Sequence, residues 1–555
     1  MRASPLDASG GLLRSPTSHQ FAGASFWSFF LLRATASSDR TLLTWQPFDQ
    51  GAVSWTYGQV LREASSLAAG MQSRGIATGD RVLIHLDNCP EQLFAWLACL
   101  AIGAVPVTTN TRSSLDELQY YAHDAQVVAA VTQPRLLELV GKAAPAVGWI
   151  ACTDHDSGVP ATAAGLPSQQ ASYRALLADA DALVPALPDP LAPATIQYTS
   201  GTTARPKGAV WNHANLLWSA KTNAANLSLR PTDVLLIYTP MFHANATTFG
   251  MLPSMWVGCS FVLTPKWSTS RFWDISLRHR CTWTSLIGLS VRALLDMPSP
   301  SDHAYRLFGG GISIDEFPGC GVKTIGWWGM TELGAAGIIG DAFLPNRALS
   351  VGRPTPGYGI AMVREDGSPV DVEEPGDLVV QGTPGLSLFA GYLGRPEETA
   401  ACYDEQGWFR TGDRLVPHAD GQISFVERAK DMLKVGAENL AAVEVERVIL
   451  EVPGVVEAAV VGRPDVALDE VPVAFVLAKD PAPDLADRIM AQCRRGLADF
   501  KVPRVVYVVP ELPRSTMTKV NKAELRRFAA PGDDRDQAAR RWVDEALRDP
   551  SGEAR

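Results

Sequence analysis

Helical and strand-like segments alternate through Phe26–Val184, and this alternation constrains the fold more than any other feature of the sequence. Apolar residues recur at helical spacing in Tyr57–Arg74 and Glu91–Ala104, whereas Arg81–Leu86 and Val127–Val131 have the length and composition of buried strands. Helices that connect successive parallel strands cover the faces of their sheet. The pattern therefore predicts a layered α/β fold with mostly parallel strands.

The length of 555 residues is too great for one ordinary core, so more than one domain is expected. We predict a large N-terminal domain of layered α/β subdomains over 21–428, with a β-rich subdomain where Gly and Pro punctuate Gly352–Gly391. Beyond Arg428, helix and strand patterns typical of a small α+β domain occupy 432–530. Residues 1–20 are predicted to be a disordered tail and 531–555 a charged tail.

Composition excludes several classes of function. A net charge of −10 argues against a nucleic-acid partner, because a protein that binds the phosphate backbone needs a basic face. The longest apolar stretch, Leu93–Val107, is interrupted by Gly103 and Pro106 and is shorter than the about 20 residues that span a bilayer. The eight cysteines form no CxxC pair, and Met1–Gln20 lacks an apolar signal core. We therefore expect a cytoplasmic protein with reduced thiols, no membrane span and no structural zinc.

A hydroxyl-rich turn, Tyr198–Gly208 (YTSGTTARPKG), follows a predicted strand. Backbone amides and small side chains in such a turn can surround phosphate oxygens, and the ammonium of Lys207 adds a positive charge. It is not a Walker A loop, because Pro206 precedes the lysine and Gly208 follows it. The alternative is a Ser/Thr-rich surface loop. The candidate phosphate ligands are Thr199, Ser200, Gly201, Thr202, Thr203 and Lys207.

This turn closely resembles the signature of the adenylate-forming superfamily, which includes acyl- and aryl-CoA synthetases, peptide-synthetase adenylation domains and luciferases. Four further segments resemble the same family in the same order: Gly326–Glu332 (GWWGMTE), Gly407–Asp413 (GWFRTGD), Val426–Asn439 (VERAKDMLKVGAEN) and Leu512–Val520 (LPRSTMTKV). The resemblance spans about residues 25–530 and is greatest to the medium-chain or carnitine-type CoA ligases.

The resemblance implies roles for the second and third segments. Trp328 and Gly329 would lie near the adenine, Thr331 would contact the α-phosphate and Glu332 would bind Mg²⁺, a hard cation that needs few protein carboxylates beside phosphate oxygens. Asp413 would accept hydrogen bonds from both ribose hydroxyls. The alternative for the second segment is a buried pair of tryptophans.

The fourth and fifth segments are implied to serve both half-reactions. Arg428 would contact the nucleotide, Lys430 would mark a hinge at 429–431, and Lys519 would be the mobile catalytic lysine of the adenylation step. The residues implied to build the coenzyme A tunnel and to support thioester formation are Lys434, Gly436, Ala437 and Glu438. Each segment taken alone is also compatible with a charged, solvated surface.

Two shorter matches concern the acyl pocket. Met241–His243 resembles a segment that lines the acyl channel, which makes His243 a candidate, although a structural histidine is an equal alternative. Gly309–Gly311 resembles a turn beside the adenine and the acyl group, which adds Gly310 and Gly311 to the nucleotide-binding candidates. Eight of the 15 tryptophans lie in Trp211–Trp328. Bulky apolar walls would suit an aromatic, polycyclic or medium-length acid, and the same tryptophans could equally fill the core.

Some positions depart from the family pattern. Ala204, Ala437 and Thr518 stand where glycine is usual, and Glu427 stands where aspartate is common. A non-glycine residue at a position that needs positive φ costs on the order of 1–2 kcal/mol, which a protein can tolerate. Because Ala204 and Thr518 lie in elements of the first half-reaction, one alternative is an enzyme that only makes thioesters from a supplied acyl-adenylate.

Together these features predict an acyl-CoA ligase that forms an acyl-adenylate from a carboxylic acid and ATP, with Mg²⁺, and transfers the acyl group to coenzyme A. Fewer than about 40 residues follow Lys519, less than the roughly 50 of a small domain, which favours free coenzyme A over a fused carrier domain. Further alternatives are a loader of a separate carrier protein and a nucleotide-binding regulatory protein. A homodimer is compatible with the sequence.

Overall fold

The computed structural model describes residues 20–113, 115–161, 170–199, 206–314, 316–428, 432–435, 438–465, 468–479, 482–497, 499–516 and 519–529. The chain forms two compact units. The first contains the described residues up to Ile360 together with Val380–Phe409 and Gly421–Ile423, and the second contains Ala361–Val379, Arg410–Asp420 and the described residues from Ser424 onward. The predicted hinge at 429–431 and the tail at 531–555 lie outside the described residues.

Two of the longer α-helices begin and end at local sequence signals. Helix Tyr57–Ser73 starts with a capping box, in which the side chains of Thr56 and Gln59 each accept a hydrogen bond from the other residue's backbone amide. Helix Pro90–Ile102 has proline in its first turn and ends at Gly103, whose φ of 72° is the left-handed conformation that glycine adopts without strain. The helices are α1 Phe26–Ala36, α2 Tyr57–Ser73, α3 Pro90–Ile102, α4 Leu115–Asp124, α5 Leu137–Ala143, α6 His213–Asn226, α7 Ala244–Ala246, α8 Leu252–Val257, α9 Phe272–Arg278, α10 Gly288–Leu295, α11 Pro396–Ala400, α12 Ala442–Leu450, α13 Leu485–Gly496 and α14 Lys522–Ala529.

The strands of the described residues vary in length from two to eleven residues. They are β1 Thr41–Trp45, β2 Val53–Thr56, β3 Arg81–His85, β4 Val105–Thr108, β5 Val127–Thr132, β6 Trp149–Cys152, β7 His155–Asp156, β8 Val159–Pro160, β9 Gln170–Ser172, β10 Pro193–Thr199, β11 Lys207–Asn212, β12 Val234–Ile237, β13 Ser260–Leu263, β14 Trp283–Leu286, β15 Leu307–Gly310, β16 Glu316–Phe317, β17 Val322–Trp328, β18 Ile338–Ile339, β19 Ser350–Pro354, β20 Gly359–Val363, β21 Gly376–Gln381, β22 Gly391–Tyr392, β23 Phe409–Pro417, β24 Ile423–Arg428, β25 Met432–Val435, β26 Glu438–Ala441, β27 Val455–Asp465, β28 Asp469–Ala478, β29 Val505–Val509, β30 Arg514–Thr516 and β31 Lys519–Val520.

Two mainly parallel sheets form the first unit. One has the strand order β2-β1-β13-β12-β14-β15-β17-β18-β19, and the neighbours from β1 to β17 in this order are parallel. The other has the order β22-β11-β10-β4-β3-β5-β6-β9, parallel from β10 to β9, with the antiparallel hairpin β10–β11 and the short β22 at one edge. This arrangement confirms the predicted layered α/β fold.

The second unit is built from antiparallel and mixed sheets. Strands β24, β23, β21 and β20 are neighbours in that order, and the order β26-β25-β28-β27, with β29 parallel to β28, forms a further sheet. Helices α12 and α13 pack on that sheet around a core that includes Leu440, Val445 and Ile489. A small α+β domain in the last part of the chain is the architecture that its sequence predicts.

Within the described part of the chain, every helix is too short or too polar to cross a lipid bilayer. All eight cysteines are described, and each has a free thiol.

Candidate functional site

The β10–β11 hairpin presents the predicted phosphate-binding turn. Thr199, the last residue of β10, pairs with Lys207, the first residue of β11, so the hairpin closes at these two residues. Ser200–Arg205 lie outside the described residues, and with them the candidates Ser200, Gly201, Thr202 and Thr203 and the substituted position Ala204. At the base of the turn, the Tyr120 hydroxyl donates to the Pro206 carbonyl at 2.8 Å.

Lys207 has two close neighbours. Its Nζ lies 2.7 Å from Oε2 of Glu398 and 4.9 Å from the centre of the Tyr392 ring. Glu398 is also bound by Arg395 at 3.0 Å, and the two cations hold the pKa of the Glu398 carboxyl below its usual value. The lysine therefore lies between a carboxylate and the face of an aromatic ring, both of which attract a positive charge.

Glu332 is buried, with 5% of its surface exposed. The Tyr392 hydroxyl donates a hydrogen bond to its Oε1 at 2.6 Å. Burial, followed by the negative charge of Glu332, raises the pKa of the Tyr392 phenol well above its usual value, so the phenol stays protonated as a donor. The structure thus brings the predicted phosphate cation Lys207 and the predicted metal carboxylate Glu332 together around one tyrosine.

Neighbouring loops fix the backbone at Glu332. The amide of Phe389 donates to the Glu332 carbonyl at 2.8 Å. The segment that carries Phe389 is held by the Asn215 side-chain amide, which donates to the carbonyls of Leu386 and Leu388 at 2.8 and 2.7 Å. Asn215 also completes a capping box with Asn212 at the start of α6. A helix end that immediately follows β11 thereby positions the backbone of the predicted metal ligand.

The residues before Glu332 connect the two sheets of the first unit. The buried indole of Trp211, in β11, donates to the carbonyl of Thr331 at 2.8 Å. Trp328, the last residue of β17, is buried, and a Cβ added at Gly337 would lie 3.0 Å from its ring. Gly329 follows the strand directly. The predicted aromatic-Gly-x-Thr-Glu element therefore stands at the carboxyl end of a parallel strand, where α/β sheets bind ligands.

The glycine run and its neighbours lie at the same edge of that sheet. Gly310, at the end of β15, pairs with Gly326 of β17. A Cβ at Gly309 would lie 1.9 Å from the Trp327 ring, whereas one at Gly311 would meet nothing within 4 Å. The Trp327 ring stacks on Phe249 with the ring centres 4.1 Å apart. Bulky rings thus fill part of the region in which the acyl pocket is predicted.

His243 precedes α7 and packs against the ring of Phe242 at 4.6 Å. Burial lowers the pKa of its imidazole to about 4, so the side chain is neutral at physiological pH. It can contribute shape and a neutral hydrogen-bonding group there, but no charge.

The remaining candidates belong to the second unit or lie outside the described residues. Asp413, in β23, is 4% exposed, and its amide donates to the Thr411 hydroxyl at 3.1 Å. Arg428 ends β24, Lys434 lies in β25, Glu438 begins β26 and Lys519 begins β31. Lys430, Gly436, Ala437 and Thr518 lie outside the described residues.

Sequence reasoning missed Tyr392 and Glu398. Their segment, Gly391–Ala400, shows no motif by itself, because a tyrosine, an arginine and two glutamates around a proline are ordinary surface composition. The informative fact is the antiparallel pairing of β22 with β11, which places Tyr392 opposite Ala209. This long-range pairing brings Tyr392 to Lys207, and α11, which follows β22, brings Glu398 to the same lysine.

Comparison with known proteins gives the family. The AMP-binding enzyme family matches residues 30–393, and the C-terminal domain of AMP-binding enzymes matches residues 444–519. The crotonobetaine/carnitine–CoA ligase of Salmonella paratyphi C (strain RKS4594) is 31% identical over 502 residues, which cover 88% of this chain and 96% of that protein.

Two solved structures are similar over almost their whole length. The benzoate CoA ligase from Burkholderia xenovorans LB400 has a TM-score of 0.77 and 25% identity, covering 90% of this chain and 99% of that one. The ATP-bound MatB from Rhodopseudomonas palustris has a TM-score of 0.77 and 26% identity, covering 90% and 98%.

The chain belongs to the AMP-binding enzymes, the adenylate-forming superfamily that its five motifs predict. Within that family it is an ATP-dependent acyl-CoA ligase that acts through an acyl-adenylate, which confirms the function predicted from the sequence. The comparisons do not favour a thioesterification-only enzyme or a carrier-protein loader.

Proposed function

We propose that this acyl-CoA ligase activates an acid with an uncharged acyl group, using ATP with Mg²⁺ in the first half-reaction and free coenzyme A in the second. The observation that carries the proposal is the convergence of Lys207 and Glu332 on Tyr392. These are the cation and the carboxylate that a magnesium–triphosphate needs, and they lie beside a hairpin whose connecting sequence is rich in hydroxyl-bearing residues and glycine.

The donors at Glu332 fit Mg²⁺. A buried carboxylate oriented by a phenol is a hard oxygen ligand, and the described residues contain no cluster of three or more His, Cys, Asp or Glu that would form an all-protein metal cage. Mg²⁺ typically takes one or two carboxylates and completes its coordination with phosphate oxygens and water. When bound, the ion would neutralise negative charge on the phosphates.

In the adenylation step, the acid's carboxylate oxygen attacks the α-phosphorus of ATP and pyrophosphate leaves. We assign Thr199, Thr331 and Lys207 to hold the phosphates, and Lys519 to place a positive charge beside the α-phosphate as negative charge accumulates there. Trp328, Gly310 and Gly311 are assigned to the adenine side, and Asp413 and Arg428 to the nucleoside.

In the second step, the thiol of coenzyme A attacks the carbonyl carbon of the adenylate and AMP leaves. We assign Lys434 and Gly436–Glu438 to this step and 429–431 to the hinge that exchanges the two arrangements. The eight free thiols support a reducing, cytoplasmic location.

The lack of charged side chains around the predicted acyl pocket supports a neutral acyl group. No Asp, Glu, Lys or Arg occurs in 234–265, 307–314 or 324–331, the segments around the predicted acyl pocket. His243 is neutral there. A buried charge on the substrate would lack an ionic partner in these segments, and a buried unpaired charge is costly. We therefore expect a neutral aromatic or medium-chain acyl group.

A panel of acids tests this proposal. Benzoate, octanoate and carnitine are each incubated with ATP, Mg²⁺ and coenzyme A, and both pyrophosphate and thioester are measured. We expect kcat/KM for a neutral acid to exceed that for carnitine by at least about tenfold. Preferential turnover of carnitine would refute the charge argument, since aromatic rings alone would then recognise the cation. Replacing coenzyme A by a holo-carrier protein tests the acceptor, and failure of free coenzyme A to give a thioester would contradict its assignment.

A further inference from the structure

Tyr392 occupies a fixed place beside the phosphate-binding hairpin. Its strand, β22, is antiparallel to β11, and Tyr392 pairs with Ala209, two residues after Lys207. The Tyr392 amide donates to the Thr399 hydroxyl at 2.9 Å, and its ring meets Phe389 edge-on with the ring centres 4.8 Å apart. Strand pairing, a side-chain hydrogen bond and ring packing together restrict both its backbone and its rotamer.

The two ends of this side chain contact two different functional candidates. The hydroxyl donates to Glu332 Oε1 at 2.6 Å, a short hydrogen bond to an ionised acceptor. The ring face lies 4.9 Å from the ammonium of Lys207. A carboxylate that binds a metal through one bond can rotate, and an outer hydrogen bond that removes this freedom improves the metal site. A lysine on an aromatic face is likewise restrained without losing its charge.

We propose that Tyr392 is a positioning residue of the adenylation half-reaction. Its hydroxyl orients Glu332 for the magnesium–nucleotide, and its ring holds Lys207 at the phosphate-binding turn. The inference rests on the proposed roles of Glu332 and Lys207. In this assignment Tyr392 contacts neither ATP nor the acid, and it acts through the side chains of Glu332 and Lys207.

Tyr392→Phe separates the two contacts, because phenylalanine keeps the ring and removes only the hydroxyl. Binding of α,β-methylene-ATP is measured with Mn²⁺, which is followed by electron paramagnetic resonance, and again in EDTA. We expect the half-saturating Mn²⁺ concentration to rise by about tenfold. Metal-free binding of the nucleotide should change by less than about twofold, since the ring remains over Lys207. Tyr392→Leu should raise the half-saturating Mn²⁺ concentration by a similar factor, and it should also weaken the metal-free binding of the nucleotide.

Tyr305→Phe is the matched control. It removes a phenol bond of similar length, 2.7 Å to Ser276, in the hydrophobic core of the first unit. We expect it to leave both binding constants unchanged. Circular dichroism and thermal unfolding of each variant establish that it is folded.

Glu332→Gln distinguishes failure of the inference from failure of the proposed function. If Glu332→Gln abolishes the metal dependence while Tyr392→Phe behaves like Tyr305→Phe, then the positioning role of Tyr392 is overturned and the metal role of Glu332 stands. If Glu332→Gln itself leaves the metal dependence unchanged, both fail together. A rise in the half-saturating Mn²⁺ concentration in Tyr392→Phe, with no rise in Tyr305→Phe, supports the inference.

Discussion

Gly309 is small because a tryptophan ring lies against it, and this predicts a large effect for Gly309→Ala. The new Cβ would lie 1.9 Å from Cζ3 and 2.5 Å from Cη2 of Trp327. Restoring an ordinary contact requires the ring to retreat by about 1.5 Å. The ring cannot move freely, because it stacks on Phe249 at 4.1 Å and lies parallel to Trp283 at 6.3 Å.

The expected cost combines two effects. Overpacking a rigid core by one carbon costs about 1–3 kcal/mol. Loss of a stacked aromatic pair adds about 0.5–1.5 kcal/mol. We therefore expect Gly309→Ala to reduce the free energy of unfolding by about 2–4 kcal/mol, measured by urea denaturation with tryptophan fluorescence.

Two controls test the cause. Gly311→Ala adds the same methyl group where nothing lies within 4 Å, so its effect should stay below about 0.5 kcal/mol. Combining Gly309→Ala with Trp327→Ala removes the clash, and the double-mutant cycle should give a coupling energy of about 2 kcal/mol. Equal stability of the Gly309→Ala and Gly311→Ala variants would refute the steric argument.

Two further predictions concern a buried ion pair and Lys519, the proposed lysine of the adenylation step. Arg306 donates to both oxygens of Asp233, which is 3% exposed, so Arg306→Met should cost about 3 kcal/mol of stability at pH 7, and a loss below 1 kcal/mol would contradict the pairing. Burial alone would raise the pKa of Asp233, but hydrogen bonds from Arg306, the Arg230 amide and Thr282, together with the charge of Arg306, outweigh burial and lower the pKa. The stabilisation is therefore full above the unfolded-state pKa and is lost as pH falls through the folded-state pKa. Arg306→Met should lose less stability over this acid range than the unmodified protein does. Lys519→Ala should reduce acid-dependent pyrophosphate release about 100-fold and spare thioester formation from supplied acyl-adenylate, and equal loss of both steps would assign the lysine differently.

Local elements were predictable because their signals are local. The helix expected at Tyr57–Arg74 occurs at Tyr57–Ser73, since its apolar spacing and its capping box are contained within one stretch of chain. The strand expected at Val127–Val131 is β5, Val127–Thr132, which is rich in valine. Lys207 was singled out by the hydroxyl-rich turn that it closes, and Glu332 by the resemblance of its segment to the adenylate-forming superfamily; their roles stay predictions.

The contacts between these motifs were not predictable in the same way. The sequence alone predicts an α/β fold from periodicity and caps, and it predicts an acyl-CoA ligase through the resemblance of five short motifs to the adenylate-forming superfamily; all of these signals are properties of short segments. Only the tertiary structure decides that Tyr392 contacts both Lys207 and Glu332, and that Gly309 must accommodate Trp327. Such contacts depend on which distant strands pair and in what register, and that choice is made by the packing of the whole unit rather than by any one segment.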